Sequence, residues 1–264
     1  MARMPVENGT RIGIVGAGNS GAGLHLPVLK KMPGVSVAWI CDLNIARARN
    51  VAAKFEVPAA FSDLGQCPDV DAIVMTIPVG VRSEAIGVTL ERRWNVLVEK
   101  PFAMSVASHR QFLDRANNAG IQVGVMAQRR AFHSTMVARK FLASGVLGSI
   151  RRLWAADAQP ERRSGMDGEG WASWVTNPAI AGGGILADKG FRLIDHVFQV
   201  AQVHGLENLK ATLDGVGGID TEVRAVADVT VESGEVIPIA VRLTRSKDIR
   251  RGISIECDRG TIIV

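Results

Sequence analysis

Arg11-Ile12-Gly13-Ile14-Val15-Gly16-Ala17-Gly18-Asn19-Ser20-Gly21 decides the fold. A short β-branched run ends in G-x-G-x-x-G, and a helical pattern follows over about 20–31. The spacing alone is weak in a chain with 28 glycines, but its place between a strand and a helix gives it meaning. Gly16 allows a tight turn, Gly18 lets backbone approach a pyrophosphate, and Gly21 lets the helix pack close to the strand. With Asn19 and Ser20 they form a candidate phosphate cradle, where free N–H groups and the helix dipole face the anion. Asp42, 21 residues beyond Gly21, closes the next strand-like run. A carboxylate there accepts ribose hydroxyls and repels a 2′-phosphate, so the expected cofactor is NAD. Arg47, about one helical turn further on, leaves NADP open. The competing readings are a purely structural turn for the glycines and a helix N-cap for Asp42.

Working outward, the first half alternates strands and helices. Strands are expected at 11–15, 35–41, 71–77, 95–98 and 122–126, and helices at 45–55, 82–92 and 106–119. Such alternation implies right-handed βαβ units and a doubly wound parallel sheet covered on both faces. The pattern changes near residue 127. A helix over 135–144, a strand over 150–158, a loop-like stretch over 160–183 and a long helix over 185–203 come first. Strand-like runs at 208–213, 222–231, 236–244 and 250–257 follow, with another from 261. Successive strands without helices imply an α+β domain with a mostly antiparallel open sheet. Two domains are expected, 1–127 and 128–264. The chain stops at Val264 inside a strand-like run, so the second domain reads as truncated, in a short relative or a fragment.

Composition sets the outer limits. The 264 residues are 47% hydrophobic, 22% charged and 5% aromatic, an ordinary globular balance. Net charge is 31 − 26 = +5, which suits an anionic small molecule and is too dispersed for nucleic acid. Three scattered cysteines, Cys41, Cys67 and Cys257, make neither a disulfide framework nor a metal knuckle, and no metal is expected. The N-terminus has no signal-peptide core, and apolar runs such as 72–77 are too short for a membrane span. A soluble cytoplasmic protein is expected. G-x-S-x-G, H-E-x-x-H and C-x-x-C are all missing, so hydrolase and structural-zinc readings have no support. There is no tyrosine to serve as an acid.

Val96-Leu97-Val98-Glu99-Lys100-Pro101 puts a lysine at the carboxyl end of a buried parallel strand, where open α/β sheets bind ligands. A partly desolvated ammonium has a lowered pKa and can exchange a proton near neutral pH; the alternative is a surface lysine. The Gly16–Gly21 turn, Asp42, Thr76-Ile77-Pro78, Glu99-Lys100-Pro101 and Gly182-Gly183-Gly184-Ile185-Leu186-Ala187-Asp188-Lys189-Gly190-Phe191-Arg192-Leu193-Ile194-Asp195 occur in this order. Together they resemble the Gfo/Idh/MocA oxidoreductases. The resemblance implies an NAD(P)-binding Rossmann domain over 1–127, with Thr76, Pro78, Glu99 and Lys100 joining the glycine turn at the cofactor. It implies a substrate and oligomerisation domain over 128–264, pairing through its sheet into a homodimer or homotetramer. It implies reversible hydride transfer between nicotinamide and a small-molecule sugar, polyol or related hydroxylated substrate.

The chain departs from the family pattern at two places. Asp188 matches the Asp of an Asp-x-x-x-His motif, but the His position is Arg192. Arginine stays protonated and cannot be a general base. It can grip a carboxylate or phosphate with two prongs, or simply pair with Asp188. His196 is close in sequence, but its direction on the helix differs. The second departure is Arg82, where relatives often carry His. Trp171 and Trp174 precede the glycine run and can stack on a sugar ring or pack an interface. In the expected mechanism Lys100 takes the hydroxyl proton, Asp188 orients the substrate and tunes Lys100, and Arg192 holds an anionic or strongly polar group. The alternative is a nucleotide-binding protein with a regulatory or structural role and no catalysis.

Overall fold

The computed structural model describes residues 9–159, 174–175 and 177–264. The chain divides into two compact units, Met1–Met126 and Ala127–Val264.

The first unit holds six strands: β1 (Thr10–Val15), β2 (Val35–Cys41), β3 (Ala60–Phe61), β4 (Ala72–Met75), β5 (Asn95–Val98) and β6 (Val123–Val125). They form one parallel sheet in the order β3-β2-β1-β4-β5-β6. Successive side chains on a strand point to opposite faces, and here both faces are buried. Ile14, Ile40 and Val74 pack under Leu26, Ala48 and Ala52, from α1 (Leu26–Leu29) and α2 (Ile45–Lys54). Val15, Ile73, Met75 and Val98 pack on the other side with Ala85, Phe112 and Ala116, from α3 (Arg82–Glu91) and α4 (Val106–Ala119). Strand order reverses between β1 and β4, so a crevice opens at their carboxyl ends.

Local chemistry sets the helix ends. The Asn44 side chain accepts from the Arg47 amide and starts α2, so Asn44 rather than Asp42 is the N-cap. Ser105 and Ser108 cap α4 reciprocally, and Gly120 ends it at φ 69°. The helix expected over 20–31 is composite: a π turn, Gly21–His25, runs into the short α1. The expected strand over 71–77 pairs only over Ala72–Met75. β3 is a two-residue edge pairing that no periodicity could reveal.

The second unit contains α5 (His133–Ala143), β7 (Ile150–Ala158) and a single helical turn at Pro178–Ala181. A π turn, Leu186–Gly190, then runs into α6 (Phe191–Ala201). Five strands follow: β8 (Gly205–Val216), β9 (Ile219–Thr230), β10 (Val236–Thr244), β11 (Gly252–Cys257) and β12 (Gly260–Ile263). Their order is β12-β11-β7-β10-β9-β8. β8, β9 and β10 form an antiparallel meander, as the strand-after-strand pattern implies. The consecutive β10 and β11 are not neighbours: β7 lies between them, parallel to β10 and antiparallel to β11. Residues 245–251 are a long enough connection to skip a strand, and alternation along a strand does not encode its neighbour. The sheet is therefore mixed, though mostly antiparallel.

Leu153, Val223, Val229, Ile239, Leu243, Ile253 and Ile255 face Leu193, Val197 and Val200 of α6 in a single core. Fully burying one such side chain stabilises by about 1.5–3 kcal/mol. The intervening residues, such as Trp154, Lys210, Val226 and Ala240, line a broad depression on the other face of the sheet. Among the described residues no helix is long and apolar enough to cross a membrane.

Candidate active site

The glycine turn separates into three distinct requirements. Gly16 has φ +102°, and a Cβ there would lie 2.6 Å from Thr76 Oγ1. A Cβ on Gly21 would lie 2.1 Å from the Gly16 carbonyl oxygen. Gly18 has nothing within 4 Å of its Cβ position. Two glycines are thus required by the fold, and the third borders open space. The Thr76 hydroxyl reaches the carbonyls of Val15 and Gly16, each at 3.0 Å, and ties the turn to the end of β4. Asn19 and Ser20 lead directly into the π turn, and the Ser20 side chain makes no cap of its own. The uncovered turn at a helix start, with room at Gly18, fits a dinucleotide pyrophosphate.

Asp42 is 8% exposed at the end of β2. Its Oδ2 accepts from the Ala17 amide at 2.8 Å and its Oδ1 from the Asn44 amide at 2.9 Å. Arg47 donates to both oxygens, at 3.2 Å from Nε and 2.7 Å from Nη2. A carboxylate at this strand end is the acceptor that fits the hydroxyls of an adenosine ribose.

Glu99 and Lys100 are half-buried beyond β5, and the Lys100–Pro101 peptide is cis. His25 Nε2, in the π turn, donates to Glu99 Oε1 at 2.9 Å, and both side chains are nearly buried. Arg82 is 3% exposed. It donates to Ile77 O at 2.9 Å, to Phe102 O at 3.2 Å and to Pro101 O. One guanidinium therefore straps the Thr76-Ile77-Pro78 segment to the Lys100-Pro101 segment. Burial pulls its pKa down to about 10, with Glu99 acting in the opposite direction, so it stays a cation at neutral pH. The sequence marks Arg82 only as a departure from the family; its strap and the His25–Glu99 pair have no local signal.

In the second unit, Gly182 and Gly183 have φ of 81° and 137°. A Cβ on Gly184 would lie 2.0 Å from the Asp220 carbonyl oxygen. The Asp220 carboxylate accepts from the Gly184 amide at 2.8 Å and the Leu186 amide at 2.7 Å. It therefore holds the start of the π turn that carries Asp188. Asp220 is a site residue that the sequence does not single out.

Asp188 Oδ2 stands 3.5 Å from Arg245 Nη2, at side-chain exposures of 27% and 11%. Among the described residues Arg192 makes no ion pair, and its Nε is buried without a hydrogen-bond partner. Among the described residues the Asp188–Arg192 pair weighed from the sequence is not made, and Arg245, on the connection after β10, is a cation at Asp188. Burial pushes the Lys189 ammonium pKa down; Asp188 and Asp157 oppose this, while Arg192 and Arg245 reinforce it. Asp157, near the end of β7, pairs with Arg129 at 3.1 Å.

His196 is buried and bonds Thr135 Oγ1 at 2.7 Å, so it packs in the core instead of replacing the absent family His. Trp174 is half-buried ahead of Asn177, whose amide donates to the Trp174 carbonyl at 3.1 Å. Trp171 lies outside the described residues.

Residues 10–127 match the Gfo/Idh/MocA family model, an oxidoreductase family with an NAD-binding Rossmann fold. The chain is 27% identical over 206 residues to the D-glucoside 3-dehydrogenase of Escherichia coli (strain K12), covering 76% of this chain and 56% of that protein. It is 29% identical over 153 residues to the inositol 2-dehydrogenase of Rhodococcus jostii (strain RHA1), covering 56% of this chain and 41% of that one. The chain thus spans about half the length of the curated relatives it matches. Among solved structures, GenD2 from gentamicin A biosynthesis, in complex with NAD, superposes with TM-score 0.83 at 20% identity. That match covers 100% of this chain and 74% of that one. Levoglucosan dehydrogenase, in complex with NADH and levoglucosan, gives 0.79 at 22% identity, covering 97% and 73%.

Proposed function

We propose that this chain, whose residues 10–127 match the Gfo/Idh/MocA oxidoreductase family model, is an NAD-dependent oxidoreductase of that family acting on a CH–OH group of a sugar, polyol or related hydroxylated substrate. The observation that carries this reading is Lys100 beyond β5, strapped by Arg82 to the segment whose Thr76 secures the glycine turn. When bound, NAD supplies the hydride acceptor. The protein's part is to hold the dinucleotide and to move a proton.

Gly16, Gly18, Asn19, Ser20 and Gly21 hold the pyrophosphate, Asp42 the adenosine ribose, and Thr76, Pro78 and Glu99 border the nicotinamide half. Lys100 Nζ takes the substrate hydroxyl proton in oxidation and returns it in reduction. Asp188 orients the substrate, with Arg192 as a second contact and Trp174 as an apolar wall. The face of the second sheet that carries Trp154, Lys210 and Val226 pairs with a second copy, as a homodimer or homotetramer. Its exposed Val226 and Val236 support that pairing.

The test is NADH fluorescence titration followed by a dehydrogenase screen over polyols, aldonates and amino sugars. Arg192 at the family's His position favours a second reading, a nucleotide-binding protein without catalysis. Tight NADH binding with no turnover on any of these substrates would select that second reading.

A further inference from the structure

The second unit gathers an excess of positive charge at one place. β7 and β10 are its parallel strand pair, with Asp157 opposite Leu243 and Ala158 opposite Thr244 in their last two paired positions. Asp157 lies one residue before the end of β7, and Arg245 one residue beyond β10. The carboxyl ends of parallel strands are where open sheets bind ligands. The π turn brings Asp188 to this end, where it meets Arg245, and Lys189 follows it in the same turn. Arg129 also reaches it, through Asp157.

Among the described residues the formal charges there do not cancel. Arg129, Lys189, Arg192 and Arg245 are four cations, against the carboxylates of Asp157 and Asp188. Among the described residues the next carboxylates are already engaged: Glu222, opposite Thr244, accepts from the Thr244 and Ser246 hydroxyls through Oε1. Asp195 is gripped by Arg130 through two nitrogens, and Asp220 holds two backbone amides. Among the described residues Arg129 pairs with Asp157 and Arg245 with Asp188, and neither Lys189 nor Arg192 forms an ion pair. Lys189 is half-buried, and Arg192 has a buried, unpartnered Nε. A buried guanidinium donor without an acceptor is costly unless something else accepts from it. An ordinary solvated surface charge has no such donor shielded from water.

We propose that this cluster is an oxyanion-binding subsite, and that the substrate of the reaction proposed above is an acidic one: a hydroxylated compound carrying a carboxylate or a phosphate monoester held by Arg192 and Lys189. Arg192 supplies a planar fork that matches two oxygens of one anion, and Lys189 supplies a point charge. Arg245 and Arg129 keep Asp188 and Asp157 from neutralising that pair. The same arrangement explains why an arginine can stand at the family's His position in a working enzyme. Its role there is recognition, and the proton is handled by Lys100. The inference rests on the dehydrogenase reading for the word substrate, but the anion site can be tested without turnover.

The experiment is thermal-shift and calorimetric titration of the 264-residue chain with gluconate, glucose 6-phosphate and glucose, each with and without saturating NADH. Binding of gluconate or glucose 6-phosphate at least ~10-fold tighter than glucose is expected, since a hydrogen bond to a charged group is worth roughly a 10–150-fold change in affinity. The stronger of the two acids identifies the substituent as carboxylate or phosphate. Arg192→Gln and Lys189→Gln should each erase most of that preference. Arg192→Met should leave the melting temperature of the ligand-free chain unchanged or raised, because it removes an uncompensated cation; a structural arginine would show a drop instead. Equal affinity for all three ligands, or an Arg192→Gln chain that keeps the acid preference, would overturn the site. If the acids bind as expected and no substrate turns over, the dehydrogenase reading fails and the anion site stands.

Discussion

Arg47 holds Asp42 by both carboxylate oxygens, Nη2 to Oδ1 at 2.7 Å and Nε to Oδ2 at 3.2 Å. With the Ala17 and Asn44 amides, each oxygen already accepts two hydrogen bonds. A ribose hydroxyl can reach Asp42 only by displacing Arg47, which is possible because the Arg47 side chain is 45% exposed. The displaced guanidinium is then free to meet a 2′-phosphate. We predict that the native chain prefers NAD, and that Arg47→Ala tightens NAD by a few-fold, in line with a partly exposed ion pair worth about 1 kcal/mol or less. The same change should weaken NADP. Fluorescence titration with NADH and NADPH reads both, and tighter NADPH than NADH on the native chain would refute the role given to Asp42.

Lys100→Ala is expected to lower turnover by ~10²–10⁴-fold, the usual contribution of a positioned proton-transfer group. Affinity for NADH should stay within several-fold, because the glycine turn and Asp42 are untouched. A variant with near-native kcat would move the proton chemistry to another residue.

Arg82 is predicted to be a positioning residue. Arg82→Ala removes the donor from three carbonyls, of Ile77, Pro101 and Phe102, and should cost about 3–5 kcal/mol of stability. Arg82→Lys keeps the charge but cannot serve three acceptors from a planar fork, so it should fold with a smaller loss. In that variant kcat is expected to fall more than NADH affinity, because the displaced segment carries Lys100. Chemical denaturation together with a split of kcat from KM checks both claims. A stable Lys variant with native kcat would reduce Arg82 to a packing residue.

His196 sets a pH dependence of stability. The Thr135 hydroxyl donates to the Arg129 carbonyl at 2.7 Å, so the His196 Nε2–H must donate to Thr135. Burial, and then Arg129, hold the His196 pKa below 6.5, with Asp195 opposing them. The folded chain therefore binds fewer protons than the unfolded chain as pH falls below 6.5. Stability from this group is complete above that pH and declines as pH falls toward the lowered value. His196→Gln keeps a donor and cannot titrate. The stability advantage of native over variant should shrink between pH 7.5 and 5.5, measured by urea denaturation at both pH values. An advantage constant with pH would show that His196 does not titrate as argued.

The parts legible in the sequence are the local ones. Val35–Cys41 and Asn95–Val98 read correctly to the residue, because each is a compact apolar run bounded by polar or turn residues. The glycine turn reads because its three requirements fall within six residues. What is missing from such a reading is pairing across the chain. His25 meets Glu99 from 74 residues away, and Asp220 holds Gly184 from 36. Arg245 reaches Asp188 only once β10 lies beside β7. A helical wheel places Asp188 and Arg192 on one face, and that suggested a pair; the π turn at Leu186–Gly190 widens the backbone there, and the wheel's spacing no longer applies.

The three glycines of the first turn differ in what would notice their loss. A methyl group at position 16 or 21 collides with the chain itself, whereas at position 18 it meets nothing within 4 Å. A library screened only for soluble, folded protein would therefore retain glycine at 16 and 21 and let 18 drift to alanine or serine. Screening the same library for capture on an immobilised dinucleotide would restore glycine at 18. The difference between the two frequency profiles marks where the backbone is reserved for a guest.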